Sequence, residues 1–549
     1  MRSGSRRAPC GIWFAAMPRR QRWIVVASAA AASLCLALGG CAGDGDGASG
    51  GDARKGGSIT VGATTAPDSL DPATARSPDA RQALWQVYTP PLTLRRVAGG
   101  NGTDVIPGLA EDLPEVSEDG TAYTFKLREG LRYSNRKPVR AADFEHTIKR
   151  VLRLKAGSSF YMGIEGAEEY MEGGDEDADI TGIEADERDR QVTVQLTERD
   201  TTFLNKLAMG FAGMVPADTP FTDLSDRPPP GVGPYAITRV APGSSFVMTQ
   251  TRAFELDGIP QGNLQRITTR LVPDVATQTE RVIKGRLDYM QGTPPAERLP
   301  EIRSKYKDRY VEHSTLETSW FFLNERTPPF DNEKVRKAVN FALDKQALMR
   351  LSAGRLEPTC NFLPRNIPGF SRIDPCPFGD PGLSGDPERA RQLIEDAGED
   401  GKPVTVVTDR DPDHRRAARY YSGLLDKIGL KAKVRVVDRL RGARRARAQT
   451  GVASFVPPLP HPLPFVDRLD GDVLDPDVEQ RIVELAGEPD PERAADGYAK
   501  VDRRLVQNAY VAPYGVERQG TFLSERMDAA NCARFHPVYG PDYSSFCLK

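Results

Sequence analysis

Residues 404–437 read VTVVTDRDPDHRRAARYYSGLLDKIGLKAKVRVV. Val404–Val407 and Val434–Val437 are Val-rich runs of strand length, and between them Ala417, Tyr421, Leu424, Leu425 and Ile428 recur at the spacing of one helix face. Strand, helix and strand within about thirty residues make a βαβ unit, which joins parallel strands and lays its helix on the sheet. This part of the chain is therefore mixed α/β.

The same alternation extends upstream of the unit. Asn332 is placed to cap a helix with Val335, Ala338, Val339, Ala342 and Leu343 on one face, and Asp386-Pro387 opens another that stops at Gly398. Near the start of the chain, Ser58-Ile59-Thr60-Val61-Gly62-Ala63 alternates as a strand and runs into a loop from Thr64 to Pro72. Asp119-Gly120 turns into the alternating Tyr123, Phe125 and Leu127. A helix from Pro138 carries Phe144, Ile148, Val151 and Leu152, with His146 on its solvated side. Gln191–Leu196, Tyr235–Val240, Phe246–Thr251 and Trp320–Leu323 read as strands, the last entering Asn324. Arg227–Pro234 is a Pro/Gly stretch of hinge character, and no internal repeat is found.

A chain of 549 residues exceeds one core, and at roughly 150 residues per domain it predicts about three. Its net charge of −2 supplies no field to recruit nucleic acid. The N-terminus is more telling. Arg19, Arg20 and Arg22 precede an uncharged, mostly apolar run from Ile24 to Leu38, followed by small residues and Cys41. That is the order of an export signal, and as a helix the run covers only about 22 Å, short of the roughly 30 Å of a bilayer core. Leu38-Gly39-Gly40-Cys41 resembles the lipobox of bacterial lipoproteins. The resemblance implies cleavage before Cys41 and diacylglycerol on its sulfur, with Ala42–Gly57 as a tether. Met17-Pro18-Arg19-Arg20 would make a more compact start than Met1.

Cys10 and Cys35 leave with such a signal. Cys360, Cys376, Cys532 and Cys547 remain, an even count outside the cytoplasm that points to two disulfides with three possible pairings. The local pairing, Cys360 with Cys376 and Cys532 with Cys547, closes short loops, each contributing about 3 kcal/mol. With no C-x-x-C and no histidine pair, a metal site is disfavoured and no cofactor is expected.

Motifs of catalysis fail on context. Gly231-x-Gly233-x-x-Ala236 follows three prolines and leads into a strand, not into a helix N-terminus that could face a pyrophosphate. Ser304-x-x-Lys307 lacks its S-D-N and K-T-G companions. His146, His313, His414, His461 and His536 are scattered singly. Arg439, Arg441, Arg444, Arg445 and Arg447 form a basic cluster without interleaved aromatics, read as a solvated helix face.

Several blocks together resemble the family 5 extracellular solute-binding proteins of peptide- and nickel-type ABC importers. They are Gly57–Val61 with Asp68-Ser69-Leu70-Asp71-Pro72; Val105–Ala110; Tyr123–Arg128; Pro138-Val139 with Ala141–Phe144; Gly231-Val232-Gly233-Pro234-Tyr235; and Asn324, Pro329, Phe330, Val335-Arg336 and Asp344. The resemblance implies a type II, cluster C periplasmic-binding-protein-like fold: two α/β lobes, an extra small domain, and a cleft that closes about a hinge near Asn324. Its expected divisions are signal 1–40, tether 41–57, first lobe 58–92, 228–318 and 505–549, extra domain 93–227, and second lobe 319–504.

The implied function is capture of a small polar solute, peptide-like solutes included, outside the membrane by a monomeric, non-enzymatic lipoprotein. It would deliver the solute to permease subunits driven by a cytoplasmic ATPase; the alternative is a surface sensor of the same fold. By position in these blocks the ligand-contacting candidates are Thr64, Thr65, Ala66, Trp85, Tyr88, Trp320, Ser454, Phe455, Val456 and His461. Peptide-binding members carry a W-x-x-D-Y-P-D-P-like segment in the second lobe whose carboxylate grips the free amino group. Here Phe455-Val456-Pro457-Pro458-Leu459-Pro460-His461-Pro462 stands in its place, with Pro458 where the carboxylate is expected. Free-amine peptides then need an acid from elsewhere.

Overall fold

The computed structural model describes residues 56–549 except 381, 383, 439–447, 470–472 and 474. The lipobox, the tether as far as residue 55 and the basic cluster Arg439–Arg447 lie outside the described residues.

The βαβ unit forms as its pattern predicts. Pro403–Thr408 and Lys431–Val436 pair in parallel, joined by the helix Pro412–Lys427, and Val406-Val407 pairs in parallel with Thr450-Gly451 on the other side. Val404 and Val406 pack with Tyr421 and Leu425 of that helix and Ile428 at its end, whereas Val407 packs with Trp320 and Phe322. Both sides of the strand are buried, which is why it reads as an unbroken apolar run. At the other end of the molecule Ser58–Ala63 runs parallel to Arg266–Leu271 and to Tyr289-Met290, extended by the hairpin Tyr235–Ala241 and Ser245–Gln250.

Two long antiparallel strands, Tyr310–Leu323 and Val511–Leu523, join these groups into one eleven-stranded sheet. Their register breaks midway. Ser314 opposes Arg518 and Thr318 opposes Val516, so Thr315, Leu316 and Glu317 together face Glu517 alone. Surplus residues on one strand bend it. The bend lies between the two halves of the sheet, and the short strand Leu356-Glu357 pairs with Glu517 and Val516 there. The crossing strand is thus longer than Trp320–Leu323, and the Pro/Gly stretch Arg227–Pro234 is not the bend. Its glycines serve close packing instead: a Cβ on Gly231 would lie 2.4 Å from the Val87 carbonyl oxygen, and one on Gly233 would lie 2.6 Å from that of Gln86.

A separate four-stranded sheet (Glu115-Val116, Ala122–Lys126, Gln191–Gln195, Ile183–Asp186) packs with the helix Ala142–Leu154 around Phe125, Phe144, Ile148 and Val192. His146 on this helix is half-buried rather than solvated: its Nε2 lies 2.8 Å from the Thr219 carbonyl and its ring packs on Phe221. Arg150 of the same helix reaches Asp71 with two bonds of 3.1 and 2.7 Å, tying the loop after the first strand to this subdomain. Asp288 accepts from the Thr60 amide and the Ser524 hydroxyl, tying the first strand to the returning one. Cys360–Cys376 and Cys532–Cys547 are disulfides, closing the short loops.

Candidate functional site

In α/β sheets ligands lodge beyond the carboxyl ends of parallel strands. In the second half of the sheet those ends are Thr408 and Phe455, and a cavity of about 390 Å³ opens beside them. Its floor is the bend itself. Glu317 and Ser319 come from one crossing strand, Tyr514 and Glu517 from the other, and Ser454 from the strand beside them. One part of the wall is the start of the helix Pro412–Lys427 with Asp409, Asp411, Asp413 and His414, and Leu348, Ser352 and Arg355 also line the cavity. The volume is at the small end of what a metabolite or short peptide occupies.

The wall is built from the helix start. Asp411 caps it, accepting the amides of Asp413 at 2.8 Å and His414 at 3.0 Å, with Pro412 at the first helical position. Asp409 holds the His414 ring through Nδ1 at 3.0 and 3.1 Å. Asp413 is taken by both Arg355 and Arg416. Glu517 has only the far side of Arg355, 4.0 Å away, with 29% of its side chain exposed. Burial, reinforced by Glu317 and Asp411 and opposed by Arg355, pushes its carboxyl up to about 8.

The residues singled out from sequence do not gather at one place. Ser454 lines this cavity, and Thr65 and Ala66 line a second of about 180 Å³ at the carboxyl end of the first strand, with Asp68 and Ser245. Thr64 is half-buried beside them and Val456 is exposed. Phe455 points away from Ser454, its edge on Phe465 with the Arg468 guanidinium over its face. Tyr88 and Trp320 are buried core residues. The Tyr88 hydroxyl donates to the Pro229 carbonyl at 2.7 Å, and Trp320 meets Phe362 edge-on. Trp85 stacks on Tyr539 at 4.5 Å under the Arg96 guanidinium, at a narrow seam where Pro458 and Pro460 also stand. His461 packs on Tyr498, and burial lowers it to about 4, so it is neutral at physiological pH. Glu317, Asp409, Asp411, Glu517 and the His414–Asp409 pair were not among the sequence candidates. Asp411-Pro412 carries the same cap signature as Asp386-Pro387 and follows the strand Pro403–Thr408, which is the one local signal that marked the place.

Among the described residues, the one group with metal-ligand spacing is Asp528, Cys532 and Cys547, and both sulfurs are committed to a disulfide. No described helix is long and apolar enough to cross a membrane.

The profile of the bacterial extracellular solute-binding proteins, family 5 (middle region), matches residues 104–472. The chain belongs to that family. It is 26% identical over 388 residues to the dipeptide-binding protein DppE of Bacillus subtilis strain 168, a match covering 66% of this chain and 68% of that one. It is 27% identical over 353 residues to the dipeptide-binding protein of Escherichia coli K12, covering 60% and 63%. The solved structure of the clavulanic acid biosynthesis oligopeptide binding protein 2 superposes with a TM-score of 0.80 over 90% of this chain and 96% of that one, at 23% identity. The fold is accordingly the two-lobed α/β fold of the solute-binding proteins, and in this chain the paired crossing strands join the two halves of the large sheet.

Proposed function

We propose that this solute-binding protein captures a peptide-like solute outside the cytoplasm and delivers it, chemically unchanged, to the permease of an ABC importer. The observation that carries the proposal is the position of the 390 Å³ cavity. It lies at the bend of the strands that join the lobes, so a solute touching the second lobe and the crossing strands can favour one lobe arrangement over another. Membership of a family named for solute binding, and relatives named for dipeptides, support the choice of solute. The divisions expected from sequence fit this reading: residues 93–227 as the extra domain, and 319–504 as the second lobe. Thr65 and Ala66 serve as the first lobe's contribution to the cleft, and Cys41 as the point of lipid attachment.

Mass spectrometry of solute carried through native purification tests the proposal. The expected result is one small, unmodified molecule that, added back, changes the small-angle scattering profile. A profile unmoved by any co-purified molecule or peptide would refute it. For the anchor, Cys41→Ser should move the protein from the membrane fraction to the soluble one.

A further inference from the structure

The cavity at the bend has an unbalanced charge inventory. Its lining includes five carboxylates, on Glu317, Asp409, Asp411, Asp413 and Glu517, against the guanidiniums of Arg355 and Arg416 and the ring of His414. Their pairings sort them. Asp413 takes both arginines, Asp409 takes His414, and Asp411 is committed to two amides of the helix start, so that end of the helix offers nothing further to an anion. Glu357, next along the sheet from Glu517, is engaged by Arg365 and Ser314. Glu317 and Glu517 are left. They belong to different crossing strands, one within the three-residue bulge and the other directly opposite it. Two carboxylates on opposing crossing strands at the floor of a cavity, with the Arg355 guanidinium 4.0 Å from Glu517 and already engaged by Asp413, form a complement for a positive charge.

Resting on the proposal that this cavity is the solute site, we propose that the solute is received by a cationic group, an ammonium or guanidinium, set between Glu317 and Glu517. The acid that Pro458 does not supply comes instead from the bend. A cation there touches both crossing strands at once, so recognition and lobe movement share the same two side chains. The site also exchanges a proton. Glu517 is pushed up to about 8 by burial, Glu317 and Asp411, against Arg355, so it holds a proton at neutral pH that an arriving cation displaces. Affinity therefore rises with pH up to about that value.

Calorimetry on the full chain with three probes tests this: trialanine, N-acetyl-trialanine and cadaverine. Trialanine is expected to bind, and its acetylated form about tenfold more weakly or worse. Glu317→Gln and Glu517→Gln should each weaken trialanine about tenfold while unfolding as cooperatively as the parent. On the unmutated protein, the trialanine enthalpy should vary between buffers in the sense of proton release at pH 7. Its affinity should rise between about pH 5.5 and 7, where the peptide ammonium stays charged. Equal binding of the two peptides, or full affinity in both variants, overturns the cation site and leaves the peptide reading standing. Cadaverine alone binding, lost in Glu317→Gln, keeps the cation site and removes the peptide reading. Silence from all three overturns both.

Discussion

Two carboxylate clusters of this protein are built on opposite plans. Asp71, with no side-chain exposure, accepts from Arg150 twice and from the amides of Ala73 at 2.9 Å and Leu224 at 3.0 Å. Arg150 in turn gives two further donors to the carbonyls of Pro220 and Thr222. Glu517, at the bend, has one distant guanidinium and two carboxylates for neighbours. The first cluster is closed and leaves nothing for a partner to do; it fixes the loop after the first strand against the helix Ala142–Leu154. The second is open by one positive charge. Buried ionic groups that are fully satisfied speak of architecture, and those left short of a counter-charge speak of a ligand.

Breaking the closed cluster should have the largest effect. Asp71→Ala strands a buried guanidinium, and such losses run to about 3–5 kcal/mol. Urea unfolding should report a fall of that order, while solute affinity of the folded fraction stays at the parent value. An affinity loss matching the stability loss would mean that the two regions are not separate.

Asp502 offers an intermediate case. It is wholly buried and accepts from the Asn361 side chain at 2.7 Å and the amides of Phe362 at 2.8 Å and Leu363 at 3.3 Å, and among the described residues no cation is in ion-pair contact with it. Burial pushes it up to about 6, with those donors opposing. Asp502→Ala leaves two buried amides and one side-chain amide unmet, a loss of about 2–3 kcal/mol, smaller than at Asp71 because no charge is orphaned. Being raised above 3.8, the group also makes the parent lose stability as pH climbs from about 4 through 6. The variant should lack that slope in denaturation followed at several pH values.

The second lobe's core was legible in the sequence because parallel strands buried on both faces leave continuous apolar runs, as at Val404–Val407, and because helix starts such as Asn332 and Asp386-Pro387 announce themselves. Half of the crossing strand was not. Glu312, His313, Ser314, Thr315 and Glu317 line partly exposed positions, so no apolar alternation marks Tyr310–Thr318 as a strand, and only its pairing with Val511–Leu523 does. The site failed to show for the same reason. Glu317 and Glu517 lie far apart in the chain, and each is an ordinary polar residue until the bulge sets them opposite one another. Aromatics drew attention to Tyr88 and Trp320, yet a large ring at a conspicuous position is more often core, and both proved so.

The smallest effect on stability should come from Glu517→Gln, and it should carry the opposite sign. A carboxyl raised from 4.5 to about 8 holds in the folded state a proton that the unfolded chain sheds. Its contribution is intact below about pH 4.5, falls as pH rises through that window, and is fully lost above about 8. Glutamine keeps the shape without the charge, so the variant should match the parent at pH 4.5 and exceed it above pH 8. With 29% of the side chain reaching water, solvent holds the gain to about 1 kcal/mol, read as a small rise in the urea midpoint. A residue whose removal stabilises the fold while weakening solute binding is retained for function; if Glu517→Gln destabilises at every pH, Glu517 belongs with Asp71, and the open cluster is merely another piece of architecture.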